Sequence, residues 1–227
     1  MAYEFRSVEA FSTVHVSPVV TSAGHRGFYA AYVKRVLDLV LLAILALPVL
    51  VTLCTLAALV ARDGSSPFYV QERVGRHGRI FRMWKLRSMV PDADAKLAAH
   101  LAQNPAAREE WDSYQKLQDD PRVTPIGRII RATSLDELPQ LWNVVKGEMS
   151  LIGPRPMLPE QQFLYPGSEY YRLRPGLTGL WQVSQRHNST FVDRARFDRE
   201  YGATLSFAND LRILLRTVGV VLRRTGI

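Results

Sequence analysis

Cysteine is nearly absent from this 227-residue chain: Cys54 stands alone, inside an apolar run. One thiol excludes an intrachain disulfide framework and any zinc site built from several thiolates. The chain therefore suits a reducing compartment. Its five histidines (His15, His25, His77, His100 and His187) show no zinc-ligand spacing. No Gly-x-x-x-x-Gly-Lys-Ser/Thr loop, Gly-x-Gly-x-x-Gly fingerprint or Gly-x-Ser-x-Gly elbow occurs. The usual phosphate loop, dinucleotide turn and hydrolase nucleophile are thus missing. No internal repeat is evident. Acidic residues are also short, 21 against 29 Lys and Arg, for a formal net charge of +8. A basic balance suits anionic partners. Many of the cations flank apolar segments or sit beside Gly and Pro, which favours headgroups and phosphates over a nucleic-acid duplex.

What is abundant is a single apolar stretch, Val36 to Val60, whose one charge is Asp38. Lys34 and Arg35 precede it, and Arg62 and Asp63 follow. It starts too far into the chain, and is too long, for a secretory signal. As a straight helix it would reach roughly 37 Å, enough to span a bilayer core. Pro48 lies in its middle, where a missing donor and a steric clash predict a kink. Two topologies fit these residues equally: a kinked spanning helix, or two half-helices that enter and leave one leaflet with basic ends on the same side. Phe28, Tyr29 and Tyr32 read as interfacial anchors. Residues 1–27 read as a mobile arm, 28–63 as the interfacial and membrane segment, 64–204 as one working domain, and 205–227 as a basic amphipathic helix.

Within the working domain, 67–89 predicts a β-hairpin turning at Gly75 and Gly78. It is dense in cations: Arg73, Arg76, Arg79, Arg82, Lys85 and Arg87. Residues 91–118 predict helix, broken near Asn104-Pro105, with Trp111, Tyr114 and Leu117 forming a packing stripe. A short helix is expected over 126–131. Ser134 and Glu137 have the spacing of a capping box for a further helix. Residues 147–160 and 174–181 read as loops stiffened by Gly and Pro.

Asp136-Glu137 is the pair that could carry chemistry. Neighbouring carboxylates on a helix point about 100° apart, so they divide two roles between them. At a helix start both would be held ionised, as suits a nucleophile or a ligand for magnesium. Arg128, Arg131 and Arg155 place fixed positive charge around the pair. Carboxylates, guanidinium forks and a divalent ion together suit phosphoryl transfer. A surface ion-pair network, with Glu137 merely a capping residue, stays open on composition alone.

Three long motifs resolve that choice: QERVGRHGRIFRMWKLRSM at 71–89, DPRVTPIGRIIRATSLDELPQLWNVVKGEMSLIGPRP at 120–156, and RLRPGLTGLWQVSQR at 172–186. From about Tyr32 onward the chain resembles the monotopic phosphoglycosyl transferases. These are bacterial sugar transferases of the polyprenyl-phosphate glycosylphosphotransferase type, and the likeness is to minimal, exopolysaccharide-type members. The resemblance implies a mainly α fold with a small β-hairpin, a re-entrant helix–break–helix and one cytoplasmic catalytic domain at the inner membrane. It implies transfer of a sugar 1-phosphate from a UDP-sugar (galactose favoured, glucose next) to undecaprenyl phosphate, with release of UMP. Asp136 would be the nucleophile, forming a covalent phosphosugar intermediate, and Glu137 the ligand for Mg²⁺. Arg131, Arg155, Lys85 and Arg87 would engage substrate phosphates. No nucleic acid is expected as partner; a homodimer is compatible. Two departures stand out: Leu47 precedes Pro48 where the family often has serine, and Gln185 stands where glycine is usual. An inactive membrane-anchored assembly protein and a tethered nucleic-acid binder are the rival readings, and the intact dyad and arginines speak against both.

Overall fold

A computed structural model describes residues 27–114, 117–184 and 190–222 of the chain. Residues 1–26 of the expected arm (1–27), Gln185, and the basic residues Arg223 and Arg224 lie outside the described residues. A π-helical turn, Tyr29–Val33, leads into α1, Lys34–Val60. The hairpin follows as β1 (Phe68–Val74) and β2 (Ile80–Leu86), then α2 (Ala93–Gln103), α3 (Pro105–Tyr114) and α4 (Pro125–Ala132). A 3₁₀ turn, Leu135–Glu137, precedes α5 (Gln140–Lys146), β3 (Ser150–Ile152), α6 (Glu169–Arg172) and β4 (Gly176–Thr178). The described chain closes with α7 (Leu180–Ser184), α8 (Arg194–Ala203) and α9 (Phe207–Leu222). The fold is mostly helical with a two-stranded antiparallel hairpin, as expected. The Asn104-Pro105 break falls where the sequence put it. A second two-stranded sheet, parallel β3–β4, was not expected.

Helix α1 runs unbroken through Pro48. The two expected half-helices are therefore one helix; proline can bend a helix without ending it. Both ends are fastened to the same domain. At the start, Arg35 donates to the carbonyls of Val144 (2.6 Å) and Val145 (2.9 Å). Asp38, the one acid of the apolar run, accepts from Ser150 Oγ (2.7 Å) and the Leu151 N–H (3.2 Å). Lys34, Tyr29 and Tyr201 converge on Asp210 of α9 at 2.7–2.8 Å. At the far end, Leu53, Leu56, Ala57 and Val60 pack with Phe68, Leu86, Ile126, Ile130 and Leu135. Between these anchors Ile44, Leu45, Leu47, Leu50 and Val51 are exposed, Leu47 at 72%.

Two glycines allow the close approaches that position the site. Gly127 in α4 lies under Ser88: a Cβ there would sit 1.9 Å from the Ser88 carbonyl oxygen. Helix α4 itself is capped by Thr124, whose Oγ1 accepts from the Gly127 N–H at 2.9 Å, with Pro125 leading the first turn. Gly153, at the end of β3, lies on β4, where a Cβ would meet Arg174 O at 2.2 Å. That contact seats the Pro154-Arg155-Pro156 segment against the parallel sheet.

Candidate active site

The dyad is presented differently from the sequence reading. Ser134 caps nothing: it has φ +56, with no side-chain capping bond, and its N–H donates to Arg131 O at 3.1 Å. Ser134 thus takes the left-handed position that closes the preceding helix α4, a place glycine usually holds. The capping box with Glu137 does not form. Asp136 and Glu137 stand in a single 3₁₀ turn, and the next helix begins only after Pro139.

Lys85 comes to the pair from β2. Its Nζ lies 3.4 Å from Asp136 Oδ2 and 3.2 Å from Glu137 Oε1. Asn143, wholly buried in α5, fixes that strand. Its Oδ1 accepts from the Trp84 N–H (3.2 Å), and its Nδ2 donates to Arg82 O (2.7 Å) and Glu148 (2.6 Å). Sequence reading missed Asn143; the only signal was a polar residue among the apolar positions of QLWNVV.

Arg155 reaches Glu137 at 3.8 Å. Arg131, at the end of α4, acts on Asp136 electrostatically. Arg128 is exposed on α4. Arg87 is placed elsewhere. Its guanidinium binds both Asp63 oxygens (2.6 and 2.8 Å) and the carbonyls of Val60, Ser66 and Met89, tying the end of α1 to the hairpin.

Burial pushes the Asp136 carboxyl above its ordinary range, and Glu137 adds to this; Lys85 and Arg131 pull it back. The sequence expectation of a carboxylate held ionised at a helix start is not met: the net shift is upward, and the two cations offset only part of it. Arg73 is pulled down by burial and by Arg155. Arg194 is pulled to about 10 by burial first, and also by Arg155 and Arg73, while stacking on Trp181 at 4.3 Å. The charge of Arg155 thus bears on both Arg73 and Arg194, a positive field that suits an anion.

Among the described residues no group of three or more His, Cys, Asp or Glu could cage a metal. Lys85 already sits across the two carboxylates. This donor set fits a magnesium held by one carboxylate and by substrate phosphates, which is how Mg²⁺ is commonly bound.

Polar and apolar spaces meet at Glu137. A polar cavity beside Glu137 is lined by Arg73, Lys85, Gln140 and Arg155. A second cavity of about 260 Å³ shares Glu137 and Arg155 and is otherwise mostly apolar, reaching Leu214, Val220 and Val221 of α9. A larger apolar groove of about 550 Å³ lies under α1, between Leu42, Leu50 and Leu53 and Trp84, Leu138 and Trp142.

Residues 29–224 match the family model described as bacterial sugar transferase. The chain is 50% identical over 197 residues to the UDP-galactose-lipid carrier transferase of Erwinia amylovora, which covers 86% of this chain and 41% of that protein. It is 46% identical to the undecaprenyl-phosphate galactose phosphotransferase of Salmonella typhimurium, with the same coverage. It is 45% identical over 166 residues to the exopolysaccharide production protein ExoY of Sinorhizobium fredii, covering 72% of this chain and 74% of that one. The chain therefore spans about two fifths of the length of the first two relatives.

Proposed function

Because the chain belongs to the bacterial sugar transferase family, we propose that it transfers a sugar 1-phosphate from a UDP-sugar to undecaprenyl phosphate. Galactose is the favoured sugar, after the names of two relatives, with glucose next. The observation that carries this reading is the junction at Glu137 and Arg155, which line both a polar cavity and an apolar one, with Lys85 linking the polar cavity to Asp136. One site can then serve a nucleotide sugar and a lipid in turn.

An Asp136 carboxylate oxygen attacks the β-phosphorus of the donor. A new phosphorus–oxygen bond forms to Asp136, the bond to the bridging oxygen breaks, and UMP leaves with that electron pair. A phosphate oxygen of undecaprenyl phosphate then attacks the same phosphorus and releases Asp136. Splitting the transfer in this way replaces one hard step with two easier ones. Lys85 orients the two carboxylates, and Arg131 and Arg155 offset the charge of the phosphates. Glu137, with the donor's diphosphate, would hold Mg²⁺, which would neutralise diphosphate charge.

The site would work at the cytoplasmic face of the inner membrane. Among the described residues, Tyr29–Asp63 is the one helix long and apolar enough to cross a bilayer, and both its ends contact one domain. Contact at both ends supports a helix whose ends stay on one side of the membrane; the break expected of a re-entrant hairpin is not seen, since α1 runs unbroken through Pro48. Phe207, Leu211, Leu215 and Val218 leave an exposed apolar stripe on α9, suited to the same surface. The dyad, Lys85 and Arg155 all come from one chain.

Purified protein given UDP-galactose, undecaprenyl phosphate and Mg²⁺ should release UMP, and without lipid it should gain the mass of a phosphosugar. Asp136→Asn should abolish both. Release at the wild-type rate by that variant would remove Asp136 from its role.

A further inference from the structure

The polar cavity beside the dyad is small, about 20 Å³. That is room for one oxygen-sized group, and far too little for a diphosphate. Two side chains on its wall carry buried N–H donors without a hydrogen-bond partner: Arg73 Nε and Gln140 Nε2. Gln140 is 98% buried, at 2% exposure, in the first turn of α5, four residues after Asp136. Arg73 is held by its other nitrogens. Nη1 donates to Pro156 O at 3.2 Å and Nη2 to Gln71 Oε1 at 2.6 Å, which leaves Nε as the unused edge. Buried donors left unpaired are costly, and two on one small cavity wall call for a shared acceptor oxygen, that of a water at rest or of a bound ligand. Arg73, Lys85 and Arg155 on the same wall outnumber its one acid, Glu137, which pairs with Lys85 and Arg155, so the cavity favours an anionic acceptor.

We propose that this cavity is an oxyanion pocket, in which Arg73 Nε and Gln140 Nε2 donate to one non-bridging oxygen of the donor's β-phosphoryl group while Asp136 attacks its phosphorus. The inference rests on the reaction proposed above and adds two catalytic residues to it. The non-bridging oxygen stays on phosphorus throughout. It gains charge as the bond to Asp136 forms, and the electron pair of the breaking bond leaves with UMP. Preorganised donors aimed at such an oxygen lower the barrier, because they need not reorient during reaction. Uridine and sugar contacts lie outside a cavity this size, so the effect falls on the rate of chemistry and not on donor affinity.

The test is single-turnover formation of the phosphosugar adduct with UDP-galactose, Mg²⁺ and no lipid, followed by rapid quench and intact mass. Gln140→Met keeps the side-chain length and removes the donor. It should slow adduct formation by roughly 10²-fold, leave KM for UDP-galactose within about threefold, and raise the melting temperature by removing an unpaired buried donor. Arg73→Lys keeps the charge and removes Nε; it should slow the same step with an unchanged final adduct yield. A merely structural role predicts the opposite pairing, lower stability with the chemical step unchanged. Adduct formation at the wild-type rate in either folded variant overturns the oxyanion pocket. Failure of the wild-type protein itself to form an adduct overturns the underlying reaction instead.

Discussion

Asp198 is 5% exposed in α8, and its carboxylate accepts from the Tyr165 hydroxyl at 2.8 Å. Burial pushes it up to about 7, against smaller downward pulls from that hydrogen bond and from Arg194. A carboxyl raised in the folded state keeps its proton after the unfolded chain has lost its own. Its stabilisation is complete below about pH 4 and is lost as pH climbs towards 7. Between pH 5 and 8 that loss is roughly 3 kcal/mol. Asp198→Asn should flatten this part of the stability profile, as read by denaturant melts at the two pH values. An unchanged slope would mean that Asp198 does not titrate there. The site's residues were unevenly legible. Asp136, Glu137, Lys85 and Arg155 could be named from motifs and are brought together. Arg87 could be named but not placed, because its partner Asp63 lies 24 positions away and no local pattern links them. Asn143 and Gln140 went unseen because a polar side chain in an apolar helix reads as its exposed face, and only tertiary packing shows both buried.

At the scale of elements, local chemistry was readable and long-range pairing was not. Gly75 and Gly78 mark the hairpin turn, and Asn104-Pro105 the break between α2 and α3. The parallel pair β3–β4 joins Ser150 to Gly176 through strands of three residues each. Segments that short carry no periodicity, and their Gly and Pro content imitates a loop. The junction is tight. A Cβ at Gly153 would lie 2.2 Å from Arg174 O and 2.9 Å from Gly176 N, both backbone atoms that cannot swing aside. Gly153→Ala should therefore cost about 2 kcal/mol or more in stability. It should also cut turnover beyond that loss, because the strand leads directly into Arg155. Melts and UMP release measured on the same preparation separate the two effects, and wild-type values for both would show that the sheet can open without consequence. The Ser134–Glu137 spacing misled for a related reason. A capping box and a helix-closing left-handed residue compete for one serine, and the preceding helix won it.

Across the whole molecule, α1 behaves as a strap. Twenty-seven residues of helix extend about 40 Å, yet the first turns bind α5, β3 and α9 while the last pack on β2 and α4. Cysteine reporters placed just before Lys34 and just after Arg62 should both label from the cytoplasmic side. Opposite labelling would establish a spanning helix. The sequence displayed the strap's length and its proline, but not its two fastenings, which rest on Asp210 and Arg87, residues far along the chain.

The connection from Gly64 to Ser66 is exposed or half-exposed. A protease that nicks it severs the covalent link between anchor and domain and leaves every other fastening untouched. The two fragments should migrate together in mild detergent and part only on denaturation, so the cut enzyme would remain a working whole.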